Sequence, residues 1–339
     1  MKHTLRLTAS RLALCSSLLI LFCLCSTEVI CQQYATRITV AQDGSGDYTS
    51  IQAAIDNAKA FPDERITIFI KSGIYIEKVK VHAWNTLLTL KGENAATTII
   101  TWDDYFDGIN RGRNSTFYTY TLLVQGDDFQ AEDLRVANTA GPVGQAVALA
   151  VEADRCVFRN CSVTGYQDAL YTAGSNSRQY YDHCYIEGTT DFIFGPATAL
   201  FDSCTVHSKS NSFITAASTP KGKRYGYVFL NCRLTAKAGV DSVYLGRPWR
   251  DFARVVFIHC DMGAHIRPEG WHHWSGTHRD QTAFFAEFGN TGPGADTSKR
   301  VPWSHRLNRK AVRRYVPENI LKATPSPDPS PAFWTTGGN

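Results

Sequence analysis

Short apolar runs separated by turn residues recur along the first half of the chain. Each run is six to eight residues long and rich in Val, Ile, Leu or Thr. Runs of this kind predict strands, because an amphipathic helix needs apolar residues at every third or fourth position over a longer stretch. The runs lie at 65–70, 74–81, 86–91, 118–125 and 146–151.

A longer repeat indicates how these strands are arranged. Five segments begin with an aromatic residue, followed by two variable residues, a cysteine and alternating apolar positions, and a sixth begins with Gln130 and has an aspartate for the cysteine. The anchor positions are 20 to 28 residues apart. This spacing predicts an all-β fold, a parallel β-helix built as a single-domain solenoid in which each coil stacks on the next. The anchors are Asp133, Cys161, Cys184, Cys204, Cys232 and Cys260.

Stacked coils would place the anchor cysteines above one another in the interior, most of them as small buried residues. Cys184 and Cys204 are one short coil apart and form the candidate disulfide, although spacing alone leaves the connectivity open. No pair of these cysteines has the short spacing of a zinc site, so no metal is expected.

One helical pattern precedes the repeat. The segment from Thr49 to Gln52 matches a capping box, and Ile51, Ile55 and Ala58 fall on one helical face. The first coil of a solenoid needs a cap over its open end. We therefore expect a short N-terminal capping helix.

The ends of the chain differ from this repetitive body. Three basic residues precede an apolar run at 12–25 that is too short to span a bilayer comfortably. Residues 1–25 are therefore predicted to be a signal peptide, with cleavage no later than Cys31, which implies a secreted protein without a membrane span. The β-helix domain is expected at 36–322, followed by a flexible Pro-rich tail at 323–339.

Charge is nearly balanced over most of the chain. The 35 basic and 31 acidic residues become 32 and 31 once residues 1–25, with three bases and no acids, are removed. Nucleic acid is not an expected partner. One stretch is unbalanced: between Lys299 and Lys322, eight bases accompany the single acid Glu318. Such a stretch can hold a polyanion, and it is equally compatible with a solvated basic segment that has no specific partner.

Two aspartates recur at the same offset in neighbouring coils. Asp168 lies seven residues after Cys161 and Asp191 seven after Cys184, while the next coil has Asn211 at that offset. Equivalent positions in stacked strands are about 4.8 Å apart. Two negative charges at ~5 Å and an effective dielectric of ~20 repel by roughly 3 kcal/mol, so one carboxyl should keep its proton while the other ionises. The pair suits hydrolysis, and retaining glycosidases use a similar one.

Five segments in order resemble the signature motifs of the pectin methylesterase (pectinesterase) family. The resemblance extends from about residue 40 to residue 288 and is to plant-like members that lack an N-terminal inhibitory pro-domain. It implies a right-handed parallel β-helix and an aspartyl esterase that demethylates methyl-esterified homogalacturonan (pectin) in the extracellular cell wall, as a monomer without cofactors. A proteinaceous inhibitor is a further candidate partner. The segments are Gly73-Ile-Tyr75-Ile-Glu77, Gln145-Ala-Val-Ala-Leu149, Gly165-Tyr-Gln167-Asp168-Ala-Leu-Tyr171, Asp191-Phe-Ile-Phe-Gly195 and Leu245-Gly-Arg247-Pro-Trp249.

The resemblance also assigns roles at matching positions. Asp191 would attack the ester carbonyl, and Asp168 would act first as acid and then as base. Gln145 and Gln167 would donate hydrogen bonds to the oxyanion, or could instead be rungs of an internal amide ladder. Arg247 would orient Asp191 and keep it ionised.

A substrate-binding cleft is implied by the same comparison. Its aromatic side chains could stack on sugar rings, or could simply pack inside the solenoid. Ala169 departs from the family pattern, in which many members carry threonine, but removes no proposed catalytic group. The expected substrate-binding residues are Gln145, Tyr171, Phe194, Arg247, Trp249 and Trp274.

Other motifs add little chemistry. Asn114-Ser-Thr116 is a glycosylation sequon in a predicted surface loop. His82, His183, His272 and His273 have neither metal-ligand spacing nor a serine nucleophile motif nearby. Two alternative functions remain: a polysaccharide hydrolase or lyase on the same fold, and an inert wall-binding homologue.

Overall fold

The chain winds repeatedly through three sheets of short parallel strands. The computed structural model describes residues 34–322, so the predicted signal peptide and Pro-rich tail lie outside the described residues. Sheet A contains β1 (Arg37–Val40), β2 (Ile66–Ile70), β5 (Leu88–Gly92), β8 (Gln130–Glu132), β11 (Cys156–Arg159), β14 (Arg178–Asp182), β17 (Thr198–Asp202), β20 (Tyr227–Leu230), β23 (Arg254–Ile258), β25 (Phe284–Phe288) and β26 (His305–Arg306).

The other two sheets take the strands between these. Sheet B contains β3 (Gly73–Ile76), β6 (Thr98–Trp102), β9 (Arg135–Asn138), β12 (Ser162–Thr164), β15 (Tyr185–Gly188), β18 (Thr205–Ser208), β21 (Arg233–Ala236) and β24 (Asp261–Met262). Sheet C contains β4 (Val79–Val81), β7 (Leu122–Val124), β10 (Leu149–Val151), β13 (Leu170–Thr172), β16 (Ile193–Gly195), β19 (Phe213–Ala217) and β22 (Tyr244–Gly246).

Successive strands visit sheets A, B and C in turn, and each coil lies on the previous one. β11, β12 and β13 form one such coil, and β14, β15 and β16 form the next. Parallel pairing aligns Phe158 with Tyr181 in sheet A and Leu170 with Ile193 in sheet C. This arrangement confirms the predicted parallel β-helix. The predicted run at 74–81 is divided between β3 and β4, because the chain turns from sheet B to sheet C within it.

Two ladders of side chains fill the interior. The aromatic residues of the repeat stack with ring centroids 4.3–4.9 Å apart and are buried; they are Phe158, Tyr181, Phe201, Phe229 and Phe257. Three residues further along each coil, the anchor cysteines form the second ladder, as expected. Stacking like side chains lets every coil repeat the same close packing.

The expected disulfide between Cys184 and Cys204 is not formed. Both are buried free thiols, and each donates a hydrogen bond to a backbone carbonyl of the preceding coil: Cys184 Sγ to Phe158 O and Cys204 Sγ to Tyr181 O, each at 3.3 Å. Burial raises the pKa of both thiols well above the usual range. The thiolate needed for disulfide chemistry is therefore disfavoured at these positions.

The first anchor is also displaced by one residue from its predicted position. Arg135 pairs with Ser162, so Leu134, rather than Asp133, is the equivalent of Cys161. Asp133 has a φ of 55° and belongs to a set of left-handed residues at the turn from sheet A to sheet B. Short polar side chains tolerate this conformation, which explains their recurrence before the anchors. The other members, with φ between 49° and 55°, are Asn160, His183, Ser203, Asn231 and His259.

The N-terminal helix α1 (Ile51–Asn57) is present, but it is capped differently from the prediction. Ser50, not Thr49, is the N-cap and accepts a hydrogen bond from Ala53 N. Glu77, immediately after β3, accepts from the Ser50 hydroxyl and from the backbone N–H groups of residues 51 and 52. A carboxylate here satisfies helix donors that would otherwise lack partners. The family motif at Glu77 therefore has a scaffold role.

Short helices lie outside the repeat. Helix α2 (Phe106–Ile109) and a 3-10 helix (Gly112–Tyr118) precede β7, and two further 3-10 turns lie at Arg279–Gln281 and Pro293–Ala295. Helices α3 (Arg309–Val312) and α4 (Pro317–Ile320) follow β26. Within residues 34–322, no helix is long and apolar enough to cross a membrane.

Replacing one member of the aromatic ladder should strongly destabilise the fold. Phe201 is fully buried between Tyr181 and Phe229, so Phe201→Ala leaves a cavity in a stack that cannot easily collapse. We expect the free energy of unfolding to fall by about 3–5 kcal/mol in urea titrations. The control is Phe61→Ala, whose ring is 69% exposed and should cost little. Equal losses in both variants would contradict the structural role of the ladder.

Candidate active site

The two aspartates predicted from equal offsets occupy stacked positions at the edge of sheet C. The pairing of Leu170 with Ile193 places Asp168 and Asp191 opposite each other, two residues before β13 and β16. Both have left-handed backbones, with φ of 63° and 49°. Asp168 N donates to Thr190 O at 3.1 Å, which fixes this register between the coils. The predicted neighbouring carboxyls are therefore brought together.

Arg247 binds both oxygens of one of these carboxyls. Its Nε donates to Asp191 Oδ1 at 3.0 Å and its Nη2 to Oδ2 at 2.6 Å. A bidentate pair fixes the orientation of the carboxylate more strongly than a single contact. The preceding residue, Gly246, permits this approach, because a Cβ there would lie 1.9 Å from Thr215 Oγ1. The side chains of Asp191 and Arg247 are only 10% and 21% exposed.

Two aromatic rings hold the guanidinium in turn. The Arg247 Cζ lies 4.0 Å from the ring centroids of both Phe213 and Trp274. Such packing restricts the guanidinium to the geometry that pairs with Asp191. Sugar binding by Trp274 stays a prediction, whereas its contact with Arg247 gives it a structural role in the site.

Phe213 was missed by the sequence analysis, which placed Asn211 above Asp191. Thr190 Oγ1 and Ser212 Oγ are 2.8 Å apart, so the coil has two extra residues before it reaches the stacked position. Asn211 instead donates to Asp241 Oδ1 and accepts from the backbone N–H groups of residues 241 and 242. The aromatic side chain at the start of β19 was the available signal.

The two carboxyls differ in their electrostatic environment. Burial and the nearby Asp191 charge raise the pKa of Asp168 well above its usual range, and Arg247 only partly opposes this rise. Burial also raises the pKa of Asp191, but Arg247 opposes the rise by direct hydrogen bonds as well as by its charge. Asp168 is thus the group that keeps its proton more readily, and Asp191 is the group that ionises.

Amide donors lie next to this pair. Gln145 forms an isolated parallel bridge with Gln167, which immediately precedes Asp168. Both side chains are half-buried, and neither side-chain amide hydrogen bonds with another group in residues 34–322. Stacked amides with available N–H groups beside a nucleophile can stabilise a developing oxyanion. An internal ladder would instead have paired the two amides with each other.

The predicted cleft aromatics form one cluster near the acids. Tyr171 stacks on Phe194 at 4.7 Å, and Trp249 meets Phe194 edge-on at 5.7 Å. Phe194 is only 4% exposed, so it supports its neighbours, whereas the half-buried Tyr171 and Trp249 retain exposed surface. Phe117 from the 3-10 helix packs against Tyr171 at 5.0 Å.

Comparison with known proteins places the chain in a family. The Pectinesterase profile matches residues 37–324. The chain belongs to the pectinesterase family. Pectinesterase 31 of Arabidopsis thaliana is 42% identical over 292 residues, covering 84% of this chain and 92% of the relative.

Solved structures of pectin methylesterases have the same fold. The enzyme from carrot superposes with a TM-score of 0.79 at 33% identity, covering 84% of this chain and 92% of the carrot protein. A pectin methylesterase in complex with a hexasaccharide gives 0.72 at 27% identity, covering 84% and 96% of the two chains. These similarities confirm the right-handed parallel β-helix.

The other residues singled out from the sequence make no hydrogen bond with Asp168 or Asp191 within residues 34–322 of this pectinesterase. Asn114 is exposed on the 3-10 helix, as a glycosylation site requires. His272 Nδ1 accepts from Trp274 N at 3.0 Å and so supports the aromatic sandwich. Within residues 34–322, no three His, Cys, Asp or Glu side chains are grouped as metal ligands.

The raised pKa of Asp168 should make the pectinesterase fold less stable as pH rises. A carboxyl whose folded-state pKa is raised binds more protons folded than unfolded, so its contribution to the free energy of unfolding falls above the unfolded-state value of about 3.9. Asp168→Asn should remove this loss, so its stability relative to the parent should increase as the pH rises above about 4. Urea titrations across this range measure the difference. A difference between Asp168→Asn and the parent that stays constant with pH would refute the assignment.

Proposed function

We propose that this pectinesterase hydrolyses the methyl esters of homogalacturonan, giving pectate and methanol through an acyl-enzyme on Asp191. The observation that carries the proposal is the stacked carboxyl pair, with Asp191 held bidentately by Arg247 and Asp168 having the strongly raised pKa. These features support a site with an ionised nucleophile, Asp191, beside a protonated acid, Asp168. Membership of the pectinesterase family supports methyl-esterified pectin as substrate.

Acylation uses the two carboxyls in opposite protonation states. A carboxylate oxygen of Asp191 attacks the ester carbonyl carbon, and the carbonyl oxygen becomes an oxyanion that accepts hydrogen bonds from the amides of Gln145 and Gln167. Collapse of this intermediate breaks the bond to the methoxy oxygen. Asp168 gives its proton to that oxygen, so methanol leaves as a neutral molecule.

Deacylation reverses the proton transfer. Asp168, now ionised, takes a proton from water while the water oxygen attacks the acyl carbon. The second tetrahedral intermediate collapses, the bond to Asp191 breaks, and a galacturonate carboxyl is released. Asp168 then holds the proton with which the cycle began. The net reaction consumes one ester and one water and yields one acid and one methanol.

Arg247 acts through Asp191. Its guanidinium opposes the rise in the pKa of Asp191 and directs the carboxylate toward the ester. The sandwich between Phe213 and Trp274 keeps the guanidinium in place. Tyr171 and Trp249 present flat apolar surface that suits the faces of sugar rings, with Phe194 behind them.

We infer the cellular setting from the sequence and from the family. We place the protein in the extracellular cell wall, secreted by means of residues 1–25, with pectin as its polymeric partner and a proteinaceous inhibitor as a candidate partner. It is proposed to act as a monomer without cofactor. The exposed position of Asn114 supports glycosylation there.

The direct test is methanol release from highly methylated pectin, measured beside the formation of new reducing ends. Methanol without new reducing ends is expected, because the proposed chemistry breaks esters and leaves glycosidic bonds intact. New reducing ends without methanol would move the carboxyl pair to the glycosidase alternative. Silence in both measurements would favour an inert wall-binding protein.

Removing the nucleophile should abolish turnover while leaving the fold intact. Asp191→Asn retains the shape of the side chain but lacks the anionic oxygen, so we expect methanol release to fall at least about 1,000-fold. The control, Asp251→Asn, changes a side chain that is 66% exposed and should keep near-parental activity. An Asp191→Asn protein with more than about a tenth of parental activity would overturn the assignment.

Removing one oxyanion donor should lower turnover without weakening substrate binding. Gln145→Ala is expected to reduce kcat about 100-fold with little change in KM, because the lost hydrogen bond strengthens only as charge develops on the carbonyl oxygen. Initial rates of methanol release over a range of pectin concentrations separate the two constants. Gln125→Ala, which loses only a surface hydrogen bond to Glu152, is the control. A change confined to KM would reassign Gln145 to substrate binding.

A further inference from the structure

The basic C-terminal stretch is not a loose tail within the described residues. After β26 at the edge of sheet A, the chain forms α3 and α4, and its end is buried: Ile320 and Leu321 are 2% and 0% exposed. They pack into an apolar cluster on the outer side of sheet A with Tyr225, Val228 and other residues. The segment is therefore attached to the solenoid by its own apolar side chains.

Buried polar contacts fix the same segment. Arg178 on β14 donates from Nη1 to the carbonyl of Leu321 at 3.1 Å while it also pairs with Asp154. Tyr225 donates its hydroxyl to the carbonyl of Arg314 at 2.9 Å. These bonds hold the backbone on both sides of α4, and the second of them fixes the chain at Arg314, directly after α3.

Only part of the basic stretch is neutralised by the protein. Arg300 is buried and paired with Glu287, so it belongs to the interior. By contrast, four cations in α3 and in the turn that follows it are exposed and make no ion pair with an acid of residues 34–322. We call them the C-terminal cationic surface: Arg309, Lys310, Arg313 and Arg314. Two further exposed bases, Arg306 and Lys322, flank this surface.

The spacing of these charges is unfavourable for the isolated protein. Arg309 and Lys310 lie in the single helical turn of α3, and Arg313 and Arg314 lie in the turn that follows it, so four cations fall within six residues. Like charges this close in the chain repel one another, and the repulsion is least screened at low salt. The nearest acid in sequence is the exposed Glu318. A bound polyanion would offset this repulsion, which the acids of residues 34–322 leave uncompensated by any ion pair.

We propose that the C-terminal cationic surface binds the carboxylate-rich, demethylated stretches of homogalacturonan. The inference rests on the proposed function, because this polymer is the product of that reaction. It carries one carboxylate on every demethylated sugar, so a row of exposed cations matches it in charge. The methyl-esterified polymer is neutral and offers this surface no such attraction.

The surface lies on a different side of the solenoid from the acid pair. The C-terminal segment covers sheet A, where it contacts β14 and β20, whereas Asp168 and Asp191 lie at the edge of sheet C. Binding of pectate at the surface would therefore leave the cleft accessible to esterified substrate. The enzyme could remain attached to demethylated wall polymer while it acts on neighbouring esters.

A variant that neutralises the surface tests this proposal. The full chain carrying R309Q, K310Q, R313Q and R314Q is compared with a control carrying R37Q, R233Q, K59Q and K237Q, four exposed cations elsewhere. Both lose the same net charge. At about 50 mM salt, affinity for fully demethylated polygalacturonate should fall about tenfold or more in the first variant and much less in the control. The difference should vanish near about 500 mM salt, and fully methylated polymer should show none.

Each outcome decides one point. Equal losses in the two variants would show that net charge alone governs binding, and unchanged affinity in the first variant would show that the surface does not contact pectate; either result overturns the proposal. Methanol release from short methyl-esterified oligomers, measured on the same proteins, should be unchanged in both variants. If no variant or parent releases methanol while the affinity difference persists, the proposed function fails and the binding surface stands.

Discussion

Parallel stacking of one coil on the next is the constraint on which the rest of this structure depends. Equivalent residues in neighbouring coils are brought to about 4.8 Å from each other, whatever their chemistry. In the interior this spacing suits flat rings and small thiols, which form the ladders that include Phe201 and Cys204. At the edge of sheet C the same spacing brings together Asp168 and Asp191, whose charges repel. The scaffold thus holds a carboxyl pair that would separate if it were free.

One cation and the burial of the site reduce the repulsion between the two carboxyls. Arg247 pairs with Asp191 alone, so the two carboxyls become unequal although the scaffold treats them alike. Burial then disfavours a second negative charge, which leaves the proton on Asp168. The aromatic sandwich from Phe213 and Trp274 matters for the same reason, because a guanidinium free to move between the acids would remove their difference.

A fixed residue offset correctly predicted those features that depend on neighbouring coils having the same number of residues between equivalent positions. The offset of seven residues from Cys161 and from Cys184 located the acid pair, since both coils reach sheet C by turns of equal length. The same count failed for the next coil, where two extra residues put Phe213 rather than Asn211 above Asp191. Turn length is set by local backbone geometry, which a fixed offset cannot describe.

Contacts between distant parts of the chain were also beyond the pattern. The capping of α1 by Glu77 joins residues more than twenty positions apart, and only the motif match pointed to a role for that side chain. The free thiols of Cys184 and Cys204 show a similar limit: proximity was predicted correctly, but their hydrogen bonds to carbonyls depend on the depth of burial. The contact of Arg247 with Asp191 was predicted only from the family resemblance, because no periodicity in the sequence links Arg247 to that coil.

Under the proposed chemistry, each turnover adds one negative charge to the polymer, because a neutral ester becomes a carboxylate. A neutral ester enters a site that holds one ionised carboxylate, and a new carboxylate is formed beside it. The two neighbouring negative charges repel each other, which favours release of the product from the cleft. On the sheet A side, the exposed cations Arg309 and Arg313 are proposed to attract the carboxylates of the same polymer. If both proposals hold, the acid pair favours release of demethylated polymer from the cleft, and the cationic surface retains the enzyme on that polymer.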